Sequence, residues 1–150
     1  MRVIDLFSHW AQVRNDLMTT IDHFDGDDLD YVPFPNSWSV GQILLHIASA
    51  EEGWFQYVVR QEYDQWPADF KLKDHPSKDK IKVKLLEVHD RTIEFITTLE
   101  IEDLNTIIDY PWDGKGRLGW IIWHVIEHEI HHRGELSLIL GMLGREGLDV

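Results

Sequence analysis

Residues 120–135 read WIIWHVIEHEIHHRGE. No proline interrupts the run, and its apolar content is that of a helix. Four of the nine histidines in the chain lie in it. At about 100° per residue, His124, His128 and His132 step around such a helix by roughly 40° each, and His131 falls within roughly 60° of His128. Trp120, Ile121, Ile139 and Met142 share the sector. Imidazoles that run on into core positions need partners for both ring nitrogens, and one divalent metal ion partners several at once. The spacing therefore predicts a helix that forms one wall of a metal site. The competing arrangement is a layer of buried histidines hydrogen-bonded to carboxylates, and few carboxylates fall on that face.

The rest of the chain supplies the supports. Leu6, Trp10, Val13, Leu17, Ile21 and Phe24 predict a first helix over 3–24, ended by DGDDLD. His9 and His23 lie off its apolar row and read as surface or boundary residues. YVPFPNSW, 31–38, is an extended connector held out of helix by two prolines. Ser39 and Gln42 have the spacing of a reciprocal helix cap, which opens a second helix over 40–63. Val40, Ile43, Ile47, Ala50, Trp54 and Tyr57 form its inner row, and His46 borders that row. A polar loop covers 64–77. Ser77 caps a third helix over 78–99, with His89 beside its inner row as a structural or exposed residue. Residues 100–118 form a long connection, with a short extended run at Thr106–Tyr110 and a glycine-rich turn after Pro111.

The fourth helix spans 118–143 and stops at Gly144. Ile122, Ile126, Ile130 and Leu140 give it a second apolar row, so it is expected to be covered on two sides. Gly134 within it costs about 1 kcal/mol relative to alanine, which predicts close approach of a neighbour or ligand there. Arg133 faces away from the histidine stripe and is expected in a salt bridge. Four long helices and no convincing sheet predict an all-α four-helix bundle with a long loop between the third and fourth helices, as a single domain over 1–150.

Composition narrows the functions. The chain has 150 residues, 43% of them hydrophobic, which suits one packed core. Its formal net charge is −13, and no basic stripe is present to neutralise nucleic-acid phosphates or to meet an anionic membrane. It has no cysteine, so neither disulfides nor a protein thiolate operates. No segment reaches the roughly 18 uninterrupted apolar residues of a spanning helix, and the N-terminus lacks a secretory h-region. A cytoplasmic location is expected.

His128 and His132 stand one helical turn apart, the spacing at which two imidazoles chelate one ion. A third ligand must come from another helix, and His46 is the best-placed remaining histidine. The segments WSVGQILLHIASAEEGW and GWIIWHVIEHEIHHRGELSLILGMLG resemble those of the DinB/YfiT-like superfamily of small metal-binding bundles. The likeness is sharpest at a WSxxxxxxH start of the second helix and an HxxxHRG element in the fourth. It implies a divalent metal, zinc or nickel, held by His46, His128 and His132. It departs at Glu135, where that family commonly has Gln after HRG.

The resemblance implies two reactions. One is S-transfer, with a low-molecular-weight thiol such as bacillithiol or mycothiol attacking an electrophile; the other is metal-dependent hydrolysis. Three neutral imidazoles leave an ion its full charge and open positions, a pattern of catalytic sites. A non-catalytic, metal-stabilised binding or stress-response module is the alternative, and the resemblance also implies a homodimer. His124, one turn before His128, is a candidate substrate contact or proton shuttle, and His131 a weaker one. Glu135 can accept an imidazole N–H from His132 or His131. Trp38, Trp54, Trp120 and Trp123 are candidates for an apolar wall above the metal.

Overall fold

The helix expected over 3–24 is two helices in the computed structural model, which describes residues 1–147; the last three positions of the expected 1–150 domain lie outside them. Helix α1 spans Val3–Leu6 and α2 spans Trp10–Asp22. Between them Phe7 leaves helical geometry, and the turn is closed by Trp10 N–H donating to the Phe7 carbonyl at 2.9 Å. The break has a packing cause. α1 lies against the long helix Lys78–Thr97, whereas α2 packs mainly on the helix Leu118–Met142. One straight helix cannot follow both supports, and Leu6, expected inside, is left exposed.

Helix α3 runs Val40–Glu52. Its start is the reciprocal cap that the sequence predicts. Ser39 Oγ accepts from Gln42 N–H at 3.3 Å, and Gln42 Oε1 accepts from Ser39 N–H at 2.8 Å. Beyond Glu52 the coil widens into π-helix over Gly53–Val59 and stops before Gln61, which is left-handed at φ 54°. The expected continuation to Tyr63 therefore fails. Each i→i+5 bond inserts an extra residue per turn and rotates the side chains beyond it. Phe55 and Val58 become core, while Trp54 and Tyr57, expected inside, sit half-buried. Gly53 is required here: a Cβ on it would collide with the indole of Trp66, which the 64–77 loop lays across this turn.

Helix α4 spans Lys78–Thr97, with Ser77 Oγ accepting from Lys80 N–H at 3.3 Å. The long connection is more ordered than a loop. A 3-10 turn over Ile101–Asn105 leads into β1, Ile107–Asp109, which pairs antiparallel with β2, Lys115–Arg117, Ile107 opposite Arg117. Gly114, at φ 110°, turns the ribbon. Helix α5, Leu118–Met142, follows at once and is about 37 Å long at 1.5 Å per residue. Gly144 ends it at φ 74°. The chain is thus mostly helical, with five α-helices and one small two-stranded sheet among the described residues.

The core is in two parts. One gathers Leu17, Ile21, Ile43, Leu85 and Leu136; the other gathers Val13, Phe55, Ile96, Ile122 and Ile126. Between them, in sequence, each of the four longer helices contributes a buried ionisable residue to one cluster: Arg14 on α2, Glu51 on α3, His89 on α4, Glu129 on α5. These four meet. Arg14 Nη2 donates to Glu51 Oε2 at 2.6 Å and to Glu129 Oε2 at 2.9 Å, and Nη1 donates to the Leu85 carbonyl at 3.0 Å. Trp10 Nε1 also donates to Glu129 Oε2, at 2.9 Å, and His89 Nδ1 lies 3.0 Å from Glu51 Oε1. Arg14 Nε and Glu129 Oε1 stand 2.9 Å apart, misaligned, so they share charge without a hydrogen bond. His89 is therefore buried and paired.

A further expectation fails on α5. Ile130 is exposed, and buried Glu129 occupies the neighbouring position. Nothing lies within 4 Å of a Cβ placed on Gly134, so among the described residues no neighbour needs that glycine.

Breaking the buried network on one side leaves charge without a partner, which costs about 3–5 kcal/mol. Arg14→Met should lower the urea-unfolding free energy by that amount. Adding Glu51→Gln and Glu129→Gln should restore most of it.

Candidate metal centre

The site is built where α3 faces α5. His46 stands in the second turn of α3, and His128 and His132 stand one turn apart on α5. One ring nitrogen from each lies within 4.8 Å of the other two. His46 Nε2 and His128 Nε2 are 3.0 Å apart. Ring centroids are 4.9 Å apart for His46–His128, 5.0 Å for His46–His132 and 4.5 Å for His128–His132. Metal–nitrogen bonds of 2.0–2.1 Å in a tetrahedron set nitrogens about 3.3 Å apart. His46 and His128 thus stand close to the separation an ion requires, and a ring nitrogen of His132 lies within 4.8 Å of both. Among the described residues, no fourth His, Asp or Glu atom joins the group.

Protonation suits ligation as well. Burial, then the neighbouring His132, pushes the His46 imidazole down from its ordinary value. Burial, helped by His132 and His46, holds His128 at about 3. Both rings are neutral near pH 7 and offer lone pairs. His132 Nδ1 lies 2.8 Å from Glu135 Oε2. A carboxylate only accepts, so Nδ1 carries the proton and Nε2 is left for an ion. Glu135 is thereby a positioning residue for His132.

The other candidates fall elsewhere. His124 does not reach the group: its ring stacks on Trp120 at 4.9 Å and 7° and meets Trp54 edge-on at 5.1 Å. His131 is exposed, its ring 5.1 Å from that of His132. Arg133 pairs with Asp16 at 3.0 Å, as expected of its far-side position. Of the four tryptophans, Trp38 alone covers the centre, 4.5 Å from the His46 ring and 6.2 Å from that of His132. Trp54 and Trp120 flank His124, and Trp123 is turned to solvent. Trp120 and Met142, expected on the inner sector, are both about half exposed.

A cavity of about 610 Å³ opens beside His46. Trp38, Gln42, Asp69, Phe70 and Lys71 are among its walls. The 64–77 loop is seated there by Phe70 N–H, which donates to Ser49 Oγ at 2.9 Å. Asp69, Phe70 and Lys71 are lining residues that sequence reasoning missed. They sit in a loop without periodicity, and no local signal says which helix the loop crosses.

A mostly helical fold with a three-histidine group between two helices defines a small class of helical proteins able to hold a metal. The family model described as the DinB superfamily matches residues 9–136, and the chain belongs to that superfamily. It is similar in fold to a DinB-like protein from Bacillus cereus ATCC 10987, with 19% identity, a TM-score of 0.78, and coverage of 96% of this chain and 94% of that one. A DinB-like protein from Bacillus subtilis gives 20%, 0.73, 95% and 94%, and a conserved protein from Enterococcus faecalis gives 15%, 0.69, 91% and 94%. No functionally curated protein matches the chain. No helix among the described residues is long and apolar enough to cross a membrane.

The depressed groups fix the acid side of the stability curve. Burial alone would raise the Glu51 carboxyl, but Arg14 and the His89 contact outweigh it and hold the group at about 2, against 4.5 ordinarily. His128 stands at about 3 against 6.5. In both cases the unfolded chain binds protons that the fold refuses, so stability falls as pH falls. The metal-free protein should weaken from about pH 6.5 downward through His128, then further below about 4.5 through Glu51. Urea midpoints against pH measure this, and the His128 ring NMR signals should stay flat from roughly pH 8 to 5.

Proposed function

We propose that the protein is a metal-dependent enzyme in which His46, His128 and His132 bind one divalent ion, zinc or nickel, at one end of a four-helix bundle. The observation that carries this reading is the convergence of three ring nitrogens within 4.8 Å, with no fourth protein donor among the described residues. Bound there, a divalent ion supplies a Lewis acid that lowers the pKa of a coordinated nucleophile. The residues of the chain do the rest. His132 is held in one tautomer by Glu135, and Trp38 covers one side of the rings and limits water.

The nucleophile we propose is a low-molecular-weight thiol, transferred to an electrophile. The cavity beside His46 is far larger than a water molecule needs, and Asp69 and Lys71 give it charge of both signs. That suits an amino-acid-derived thiol with its own amine and carboxylate. The chain has no cysteine, so the thiol comes from outside. His124, stacked on Trp120 one turn before His128 on α5, is a candidate contact for the substrate.

Elemental analysis of the purified protein should find about one zinc or nickel per chain. His46→Ala, His128→Ala and His132→Ala should each lose it while keeping the helical circular dichroism signal. Glu135→Gln should weaken metal affinity about 10- to 100-fold. The loaded protein should then conjugate a thiol to an electrophile. Turnover confined to esters, amides or lactones would replace S-transfer by hydrolysis, and metal binding without any turnover would leave a binding module.

A further inference from the structure

A second cavity, of about 490 Å³, lies between α1, α2 and α4 and shares no residue with the three-histidine group. Its size is that of a small-molecule site. Ile4, Phe7, Trp10, Leu86 and Ile93 give it apolar walls. At its rim Arg2 and Asp5 are paired with each other, Arg2 Nη2 to Asp5 Oδ1 at 3.4 Å. Its one buried polar feature is the inner wall, where His89 and Arg14 reach it.

His89 is 7% exposed. Its Nδ1 is committed to Glu51 Oε1 at 3.0 Å, and the Trp10 indole meets the imidazole edge-on at 4.8 Å. Its Nε2 has no hydrogen-bond partner among the described residues, yet it is not among the sealed, unsatisfied buried atoms. It therefore opens on the cavity. Arg14 is turned mostly inward, with Nη1 donating to Leu85, Nη2 donating to Glu51 and Glu129, and Nε lying against the Glu129 carboxylate.

The charges behind this wall choose the ligand. One guanidinium stands against two carboxylates, which leaves surplus negative charge beside His89, and the whole chain carries −13. An anion is repelled. With Nδ1 committed to Glu51, Nε2 is the ring nitrogen left to a ligand. A purely apolar molecule would leave that nitrogen dry and unpaired, at a cost.

We propose that this cavity is a second ligand site, separate from the metal centre, that takes a neutral aromatic molecule with one hydroxyl, the ring among Phe7, Trp10 and Ile93 and the hydroxyl paired with His89 Nε2. Phenol is the probe, with toluene and benzoate as comparisons. In ligand-detected NMR titrations of the full chain, phenol should bind about fivefold tighter than toluene, and benzoate should bind more weakly than either. In protein labelled with ¹⁵N at histidine, phenol should move the His89 Nε2 resonance, and toluene should not.

Two variants locate the effect. Ala11 lines the cavity from the exposed face of α2, so Ala11→Trp fills the space without touching the buried network. It should weaken phenol about tenfold or more and leave metal content unchanged. His89→Phe should abolish the preference for phenol over toluene. Phenol affinity unchanged in Ala11→Trp overturns the site, and toluene or benzoate matching phenol in the native chain overturns the role of His89. Failure of phenol to bind, with Ala11→Trp converting a dimer to a monomer in light scattering, would make the same face a contact between two copies and would also overturn the proposal.

Discussion

A single guanidinium shared by two buried carboxylates fixes the relation between the helices. Arg14 reaches Glu51 on α3 and Glu129 on α5 from the same nitrogen. It thereby sets the separation of α3 and α5 at one level along their length. Apolar packing alone allows helices to slide, since exchanging one methyl contact for another costs little. A charge-assisted hydrogen bond in a low dielectric does not slide, because every displacement exposes an unpaired charge. Trp10 adds a donor to Glu129 and His89 meets Glu51, and the two halves of the core pack on either side of the network in sequence.

The three-histidine centre inherits that register. His128 is the residue next to Glu129, and His46 is five residues before Glu51. With the carboxylates pinned to one guanidinium, the two imidazoles face each other with their Nε2 atoms 3.0 Å apart. His132 follows on the next turn of α5, its tautomer fixed by Glu135. Three imidazoles crowded at this distance gain little from one another. Desolvation and mutual repulsion keep His128 unprotonated, so the group is a set of lone pairs pointed at a common space. That is a costly thing to hold in place unless a cation fills it, and the fold spends a buried ion network one layer away to do so.

Much of this is legible in the sequence, and the part that is not has physical reasons. The histidine stripe of α5, the Ser39–Gln42 cap and the stop at Gly144 depend on neighbours in the chain and on helical period alone. The paired burial of Arg14, Glu51 and Glu129 does not. Each reads as an ordinary surface charge on its own helix and becomes a core residue only when three helices meet. His89 is the same case, beside an apolar row in sequence and bound to Glu51 in space. The turn at Phe7–His9 arises because α1 and α2 serve different partners, and the π-helical turn after Glu52 arises where Trp66 crosses Gly53. Both shift helical phase, which period counting takes as constant. Asp69 and Lys71 reach the cavity through a loop whose path is set by a distant hydrogen bond to Ser49.

X-ray absorption at the metal edge of the zinc- or nickel-loaded protein is the most direct test of the three-histidine centre. Three imidazole nitrogens should appear at about 2.0–2.1 Å, with at least one further light-atom ligand that exchanges when a small thiol is added. A shell closed by a fourth protein donor, or one without three imidazoles, would contradict that centre.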